Sequence, residues 1–132
     1  MSERIVITGT GAISPLGLTA KESWENALNG VSGLGPITRF DTSDYMVNIA
    51  CEVKGFDPKN YMHNRDARRR DLFQQYAIAA AQEAIQHAGI EVKEANAGRG
   101  GVILSSAIGG LKAFQDAAFP LEKSGPRKIS PF

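Results

Sequence analysis

The chain holds one cysteine and two histidines, the residue types most often used as nucleophile and base in covalent catalysis. Cys51 lies in a segment where apolar and polar residues alternate, and a free cysteine on such a strand usually packs as a small hydrophobic residue. No histidine, lysine or helix N-terminus is predicted beside it to activate the thiol. His63 and His87 stand outside any spacing typical of a catalytic or metal site, and His87 complements the dipole of a helix that ends there. We therefore predict a structural role for Cys51 and no metal site.

Two glycines near the N-terminus could belong to a phosphate-binding motif. Gly9 and Gly11 follow an apolar, β-branched run, Ile5–Ile7, as the first two glycines of a dinucleotide-binding motif would. The third glycine is replaced by Ser14, and Pro15 pushes the residue before it out of the helical region. The helix that should direct its N-terminus at a pyrophosphate cannot begin there. The sequence predicts a strand and a turn whose glycines serve backbone bends, and an NAD-dependent oxidoreductase is left only as a residual alternative.

A cluster of cations is the third candidate for function. Between residues 54 and 70 the chain has six cations and two anions. Arg65, Arg68 and Arg69 have the i, i+3, i+4 spacing that places side chains on one helix face. A solvated helix start is the simplest explanation, but arginines there are unfavourable to the helix dipole, so we predict a binding surface. Nucleic acid is not the predicted partner, because no aromatic stacking residue is interleaved with the arginines of residues 65–70.

The composition of the whole chain narrows these possibilities. A chain of 132 residues with 42% hydrophobic and 22% charged residues predicts one globular domain, residues 1–132. Its net charge of +1 gives no global reason to expect nucleic acid or a membrane surface as partner, and no apolar run approaches the ~20 residues of a membrane span. A single cysteine and the lack of an apolar leader segment predict a reducing compartment, the cytoplasm.

These residues lie on alternating strands and helices. Thr19 and Glu22 form a capping-box pattern at the start of a helix, and Gly30 stands where a C-terminal glycine is favoured. The later predicted elements are a half-buried strand over 47–53, a helix start at Asp57-Pro58, a long helix over 66–88 closed by Gly89, a strand over 101–105, a turn over 107–110 and a short helix over 111–121 broken at Pro120.

This set of elements is too small to bury its own apolar faces. The segments 5–8 and 102–104 have the unbroken apolar character of central strands covered on both faces, and from Tyr76 onward the long helix is apolar nearly all round. Three strands and three helices cannot supply the layers that would cover them. We therefore predict a piece of a larger layered α/β protein; the alternative is a small self-sufficient domain with a mobile tail.

The order and spacing of several motifs make the chain resemble the N-terminal part of the β-ketoacyl-acyl carrier protein synthases, and among them the elongating synthase II type. The residues that carry the resemblance are 6–11, 14–17, Phe40-Asp41-Thr42-Ser43, Asp71 with 73–76, Gly109-Gly110 and 125–132. The resemblance implies an α/β chain that is the N-terminal part of a thiolase-like five-layer α-β-α-β-α fold, incomplete in this chain, in a protein that is normally homodimeric. It implies a decarboxylative condensation of an acyl group, held on a cysteine, with a malonyl unit on the carrier.

The resemblance also assigns roles to particular residues. The nucleophilic cysteine of the family and both catalytic histidines lie beyond the last residue, so no catalytic residue is expected in this chain. The positions that match the docking surface for acyl carrier protein are Arg65, Arg68, Arg69, Arg127 and Lys128. Ile108 matches the residue that gates the acyl pocket, and Phe132 matches one that reaches toward the partner subunit's pocket. No cofactor of its own is implied, because phosphopantetheine arrives on the carrier protein.

Two related interpretations share most of these motifs. A non-catalytic carrier-binding fragment would fit a gene that ends at Phe132, and a polyketide-type ketosynthase or chain-length partner would fit a different pathway. The expected partners are the acyl carrier protein, the remainder of the synthase polypeptide and a second subunit.

Overall fold

The computed structural model describes residues 4–129, which are mixed helix and sheet. The helices among them are α1 Ala20–Leu28, α2 Asn64–Ala67, α3 Leu72–Ala88, α4 Glu94–Ala97 and α5 Leu111–Ser124, with short 3-10 turns at Pro58–Asn60 and Pro126–Lys128. The strands are β1 Leu34–Pro36 and β2 Ile49–Cys51. The chain divides into two compact units, one formed by the residues up to Asp57 with Ala79–Glu91, the other by Pro58–Ile78 with the residues from Val92 on.

In the first unit, α1 begins and ends where its local signals predict. The Thr19 hydroxyl accepts from the backbone N–H of Glu22 at 3.1 Å, and Glu22 in turn accepts from the N–H of Leu18. Gly30, just beyond the helix, has φ of 69°, a left-handed conformation that glycine adopts without steric cost. The predicted helix is therefore confirmed. Its capping differs by one residue from a capping box, because Glu22 accepts from the N–H of Leu18 rather than from that of Thr19.

Residues 9–11 of the same unit lie against the C-terminal half of α3. A methyl group on Gly9 would overlap the carbonyl oxygen of Ala84 and lie 2.6 Å from the nitrogen of Ala88, and one on Gly11 would overlap the carbonyl oxygen of Ala80. Neither glycine has a positive φ. The prediction that these glycines serve backbone bends was wrong: they are needed because extended backbone meets the helix at a distance that leaves no room for a Cβ.

Two side chains of α3 fix this segment by long-range hydrogen bonds. Glu83 accepts from the N–H of Ala12 at 2.8 Å and from the N–H of Ala20, the first residue of α1, at 2.9 Å. His87 Nδ1 accepts from the N–H of Thr10 at 3.1 Å. The role predicted for His87 was only to complement a helix dipole, and the structure adds this contact.

The sheet in the described residues is a two-stranded antiparallel hairpin in which Gly35 is paired with Ala50. After the strands, the carboxylate of Glu52 accepts from the Thr38 hydroxyl at 2.7 Å and from the Thr38 N–H at 3.2 Å. These bonds lower the pKa of Glu52 from its ordinary value of 4.5 because they stabilise the charged form. The predicted strand over 47–53 is present in a shorter form.

The face of β2 that was predicted to be buried is exposed. Ile49 and Cys51 are both exposed, and Ala50 on the opposite face is half-buried. Nothing in residues 4–129 packs over that face, so the alternation of the sequence does not produce burial here.

Residues 5–8 and 101–105 are not strands in the described part of the chain. Ile5 is 100% exposed and Ile103 is 95% exposed, and neither segment belongs to a ladder. Strands require a neighbour that accepts and donates backbone hydrogen bonds, and none is supplied to these segments by residues 4–129. The predicted strands at these positions are therefore not formed, although their apolar character is what a covered central strand would need.

In the second unit, the predicted long helix is divided between α2 and α3. Gln75 Nε2 donates to the carbonyl oxygens of Ala67 and Arg70 at 3.0 and 2.9 Å, and so satisfies acceptors that the break leaves open. Asp71 starts α3: its Oδ1 accepts from the N–H of Leu72, and its own N–H donates to Gln74. The Asp-x-x-Gln spacing is a capping-box pattern, which was the sequence signal for this boundary.

Helix α5 continues past Pro120, where a break was predicted, and ends at Gly125 with φ of 76°. Proline removes one backbone hydrogen bond, but the helix continues to Ser124. Among the described residues, the buried hydrophobic side chains are only those of Ala67, 9% exposed, and Ala79, 1% exposed. The described residues therefore have very little core of their own.

Candidate functional site

The turn that carries Ile108 lies between residues 106 and α5. Ile108 is 74% exposed. Gly110, the residue before α5, has φ of 81°, a conformation that a residue with a side chain adopts only with strain. The N–H of Phe114 donates to the Gly110 carbonyl at 2.8 Å and closes the first turn of the helix. The apolar side chain of Ile108 is therefore exposed on a turn whose backbone is hydrogen-bonded to the first turn of α5.

The start of α3 contacts the same turn. A methyl group on Gly109 would lie 2.7 Å from two ring carbons of Phe73, so the ring lies directly on the glycine backbone. Asp71 Oδ2 accepts from the N–H of Ala113, in the first turn of α5, at 3.5 Å. Sequence reasoning gave Asp71 and Phe73 no role in a site, since their contacts are with residues about 40 positions away in sequence.

An apolar groove of about 310 Å³ lies along α5. It is lined by Phe114, Ala117, Ala118, Leu121, Glu122 and Ile129. Ile108 does not line this groove, and Phe132 lies outside the described residues. Of the two predicted acyl-pocket residues, the structure therefore describes only Ile108, on an exposed turn.

The three clustered arginines are all exposed, on and just after α2. Arg65 lies within the helix, Arg68 is its C-cap, and the N–H of Arg69 donates to the Asp66 carbonyl at 3.1 Å, so helical geometry continues through the cluster. The argument that they oppose the dipole of a long helix was wrong, because the long helix begins only at Leu72; Arg68 and Arg69 follow the last residue of α2, and Arg65 is the second residue of that short helix. The shared binding face predicted for the three arginines stays a prediction.

Arg70 is not part of the exposed group. Its guanidinium lies 3.3 Å from the Asp66 carboxylate and donates to the Asp66 carbonyl. This ion pair joins Arg70 to a residue of α2, so the positive charge of Arg70 is partly neutralised within the chain.

Arg127 and Lys128 are exposed on a separate 3-10 turn, Pro126–Lys128, which follows α5. They belong to the second unit, as the three arginines do. The structure brings Arg65, Arg68 and Arg69 together in one turn and keeps Arg127 and Lys128 on another element.

Other candidate chemistry is weak in the described residues. Within residues 4–129, no three His, Cys, Asp or Glu side chains are grouped so that they could hold a metal ion. None of the helices in this range combines the length and apolar character needed to cross a bilayer.

Residues 2–132 match the family described as beta-ketoacyl synthase, N-terminal domain. The chain belongs to this family.

More particularly, the chain is similar to 3-oxoacyl-[acyl-carrier-protein] synthase 2. The Staphylococcus aureus (strain COL) protein of that name is 47% identical over 131 residues, which are 99% of this chain and 32% of the relative. The Vibrio cholerae (serotype O1, strain ATCC 39315 / El Tor Inaba N16961) protein of the same name is 47% identical over 129 residues, 98% of this chain and 31% of the relative. The chain thus spans about a third of the length of these curated relatives.

One solved structure supports the fold assignment. The ishigamide ketosynthase/chain length factor superposes with a TM-score of 0.54 and is 40% identical, over 65% of this chain and 21% of that one. The mixed helix and sheet of the described residues agrees with a segment of a ketosynthase fold.

Proposed function

We propose that this chain is the N-terminal segment of a synthase II type condensing enzyme of fatty-acid elongation. The enzyme would join an acyl group held on its cysteine to malonyl-carrier by decarboxylative Claisen condensation. The observation that carries the proposal is 47% identity, over 99% of the chain, to a protein named 3-oxoacyl-[acyl-carrier-protein] synthase 2. The nucleophile and histidines that perform the chemistry come from the rest of the polypeptide.

The segment contributes a docking surface for the acyl carrier protein. Arg65, Arg68 and Arg69 are exposed on one turn, and exposed cations steer an acidic partner and fix its orientation. Arg127 and Lys128 form a second part of the surface. Guanidinium groups bind phosphate in a bidentate manner, which suits the phosphopantetheine arm that the carrier brings. The segment itself holds no cofactor in this proposal.

The segment also contributes to the acyl pocket. Ile108, exposed on its turn, serves as the gate, and Phe132 reaches toward the pocket of the partner subunit. Each methylene buried in such a pocket is worth about 0.8 kcal/mol, so a gate at this position sets the accepted chain length.

The whole enzyme would be a cytoplasmic homodimer with the five-layer thiolase-like fold. The exposed apolar segments 5–7 and 102–104 support this proposal, because central strands of a layered sheet need neighbours and covering helices. The remainder of the synthase polypeptide would supply both.

Charge reversal tests the docking surface. In the full-length polypeptide, Arg65→Glu with Arg68→Glu should raise KM for acyl-carrier about tenfold or more and leave kcat/KM for a small soluble thioester unchanged, because only the carrier meets the surface. Arg99→Glu, an exposed reversal elsewhere in the second unit, is the matched control. The wild-type KM should rise with salt as the charges are screened. Equal losses with both substrates would reject the docking surface.

A polyketide-type ketosynthase or chain-length partner is the second candidate. The 40% identity to a ketosynthase/chain length factor favours retaining it. A chain-length partner would not form an acyl-enzyme, whereas an active synthase of either pathway would, so incubation of the full-length polypeptide with acyl-carrier followed by mass measurement tests the chain-length-partner alternative.

A further inference from the structure

We propose that Phe73 and Asp71, at the start of α3, are positioning residues that hold the turn bearing Ile108. The proposal extends the acyl-pocket role proposed for Ile108. The expected effect of these residues on chain-length preference rests on that role. Neither residue needs to touch the acyl chain. Each acts through the backbone of the turn.

Phe73 supports the turn from one side. Its ring is so close to Gly109 that a Cβ there would lie 2.7 Å from the ring and 2.5 Å from Ser106 Oγ. Close packing against an aromatic ring restricts the backbone to which Ile108 is attached. Phe73 is 38% exposed, so most of its surface is covered.

Asp71 fixes the other end of the turn. One carboxylate oxygen accepts from the N–H of Leu72 at 2.6 Å and the other from the N–H of Ala113 at 3.5 Å. Gly110, the residue before α5, offers no side-chain cap, so the Asp71 carboxylate takes a donor that the start of α5 would leave open. The start of α3 and the start of α5 are thereby joined through one side chain.

The consequence for Ile108 is geometric. Ile108 is directly followed by two anchored points, the Gly109 backbone against the Phe73 ring and the first turn of α5 bound to Asp71. Loss of either anchor would widen the range of positions open to the Ile108 side chain. A gate that moves more freely discriminates less sharply between chain lengths.

Hydrogen exchange on the full chain, Met1–Phe132, tests the anchoring directly. In Phe73→Ala and in Asp71→Asn, the amide protons of Ala113 and Phe114 should exchange about tenfold faster or more, because local opening becomes easier. Asparagine retains one acceptor oxygen, which is insufficient for both Leu72 and Ala113. Phe40→Ala, in the first unit, and Asp116→Asn, on α5 but bound to Lys112, are the matched controls and should leave these two amides unchanged.

A chain-length series in the full-length polypeptide tests the consequence. Phe73→Ala should change the ratio of kcat/KM between long and short acyl chains by about tenfold, with short-chain kcat/KM within about twofold of wild type. Phe73→Leu, which retains apolar volume beneath Gly109, should restore most of the discrimination. This rescue, and the dependence on chain length, would not follow from a general loss of stability.

The outcomes separate the positioning proposal from the proposed function. Unchanged exchange at Ala113 and Phe114 in both variants overturns the positioning proposal, and so does a uniform fall in kcat/KM at every chain length. If the wild-type full-length protein does not catalyse the condensation, the proposed function fails. The exchange result would still decide whether Phe73 and Asp71 hold the turn. If Phe73→Ala does not fold, exchange at Ala113 and Phe114 in Asp71→Asn decides the proposal.

Discussion

Single carboxylates join segments that lie far apart in this sequence. Glu83 uses both oxygens to accept from the backbone of Ala12 and Ala20, and Glu52 uses its carboxylate to hold Thr38 beside the hairpin. Asp71 does the same between the starts of α3 and α5. A hydrogen bond from a backbone N–H to a charged acceptor is stronger than one to a neutral acceptor. Few side chains of the described residues are buried, so these hydrogen bonds are important for holding the distant segments together.

The Glu52 carboxylate should make stability depend on pH. Its pKa is lowered in the folded chain, first by the Thr38 hydroxyl, so the stabilisation is complete above the ordinary value of 4.5 and is lost as pH falls below it toward the lowered folded value. In Glu52→Gln, urea unfolding measured against pH should lack this fall. Thr38→Val, which removes the hydroxyl donor but keeps Glu52, should lose most of the pH dependence. An equally steep acid loss in Thr38→Val would contradict this assignment.

At the scale of elements, the packing of residues 9–11 on α3 depends on the lack of side chains. Because a methyl group on Gly11 would overlap the Ala80 carbonyl, Gly11→Ala should destabilise the chain by about 1–3 kcal/mol, the usual cost of overpacking. Gly101→Ala is the control, since Gly101 has open space around its Cβ position and no positive φ. The measurement is the free energy of unfolding in urea. Equal effects of the two substitutions would show that the segment does not lie against α3 in this way.

Elements with local signals were predictable from the sequence. Helix α1 has its cap at Thr19 and its terminating glycine at Gly30, and the end of α3 has Gly89 with φ of 62°. These signals act within one turn and need no distant partner. The boundary at Asp71 also had a local signal, the Asp-x-x-Gln spacing, which the apolar periodicity over 66–88 concealed.

Elements that need a distant partner could not be predicted to form in this chain alone. The residues 5–8 and 101–105 have strand-forming composition, but the hydrogen bonds of a strand come from neighbours that residues 4–129 do not provide. The residues of the candidate site also differ in whether the sequence alone could reveal them. The cluster of Arg65, Arg68 and Arg69 could be found from spacing, whereas the contacts of Phe73 and Asp71 with the Ile108 turn depend on tertiary structure.

At the scale of the whole molecule, exposed apolar surface should become covered in the full-length polypeptide. Cys51 is exposed here, on the face of β2 that its sequence pattern predicts to be buried. A thiol reagent such as a maleimide should therefore label Cys51 rapidly in Met1–Phe132 and at least about tenfold more slowly in the full-length protein, where covered thiols react slowly. Cys51→Ala should keep kcat in the full-length enzyme and cost at most roughly 1–2 kcal/mol of stability, as small core truncations do.

Equal labelling rates would contradict the expectation that this face is covered. Loss of acyl-enzyme formation in a folded Cys51→Ala variant would contradict the structural role of the cysteine. Neither result would bear on the carrier-docking arginines, which lie in the other unit.

The intact mass of the native polypeptide, measured before and after incubation with acyl-carrier, tests membership of a complete condensing enzyme most directly. Since 131 residues of this 14.2 kDa chain are 32% of a relative, we expect a native mass about three times 14.2 kDa. Incubation should add one acyl group per subunit as a thioester, and Met1–Phe132 alone should gain none and should release no CO2 from malonyl-carrier. A native polypeptide of 14.2 kDa, or a longer one that takes up no acyl group, would contradict the proposed function.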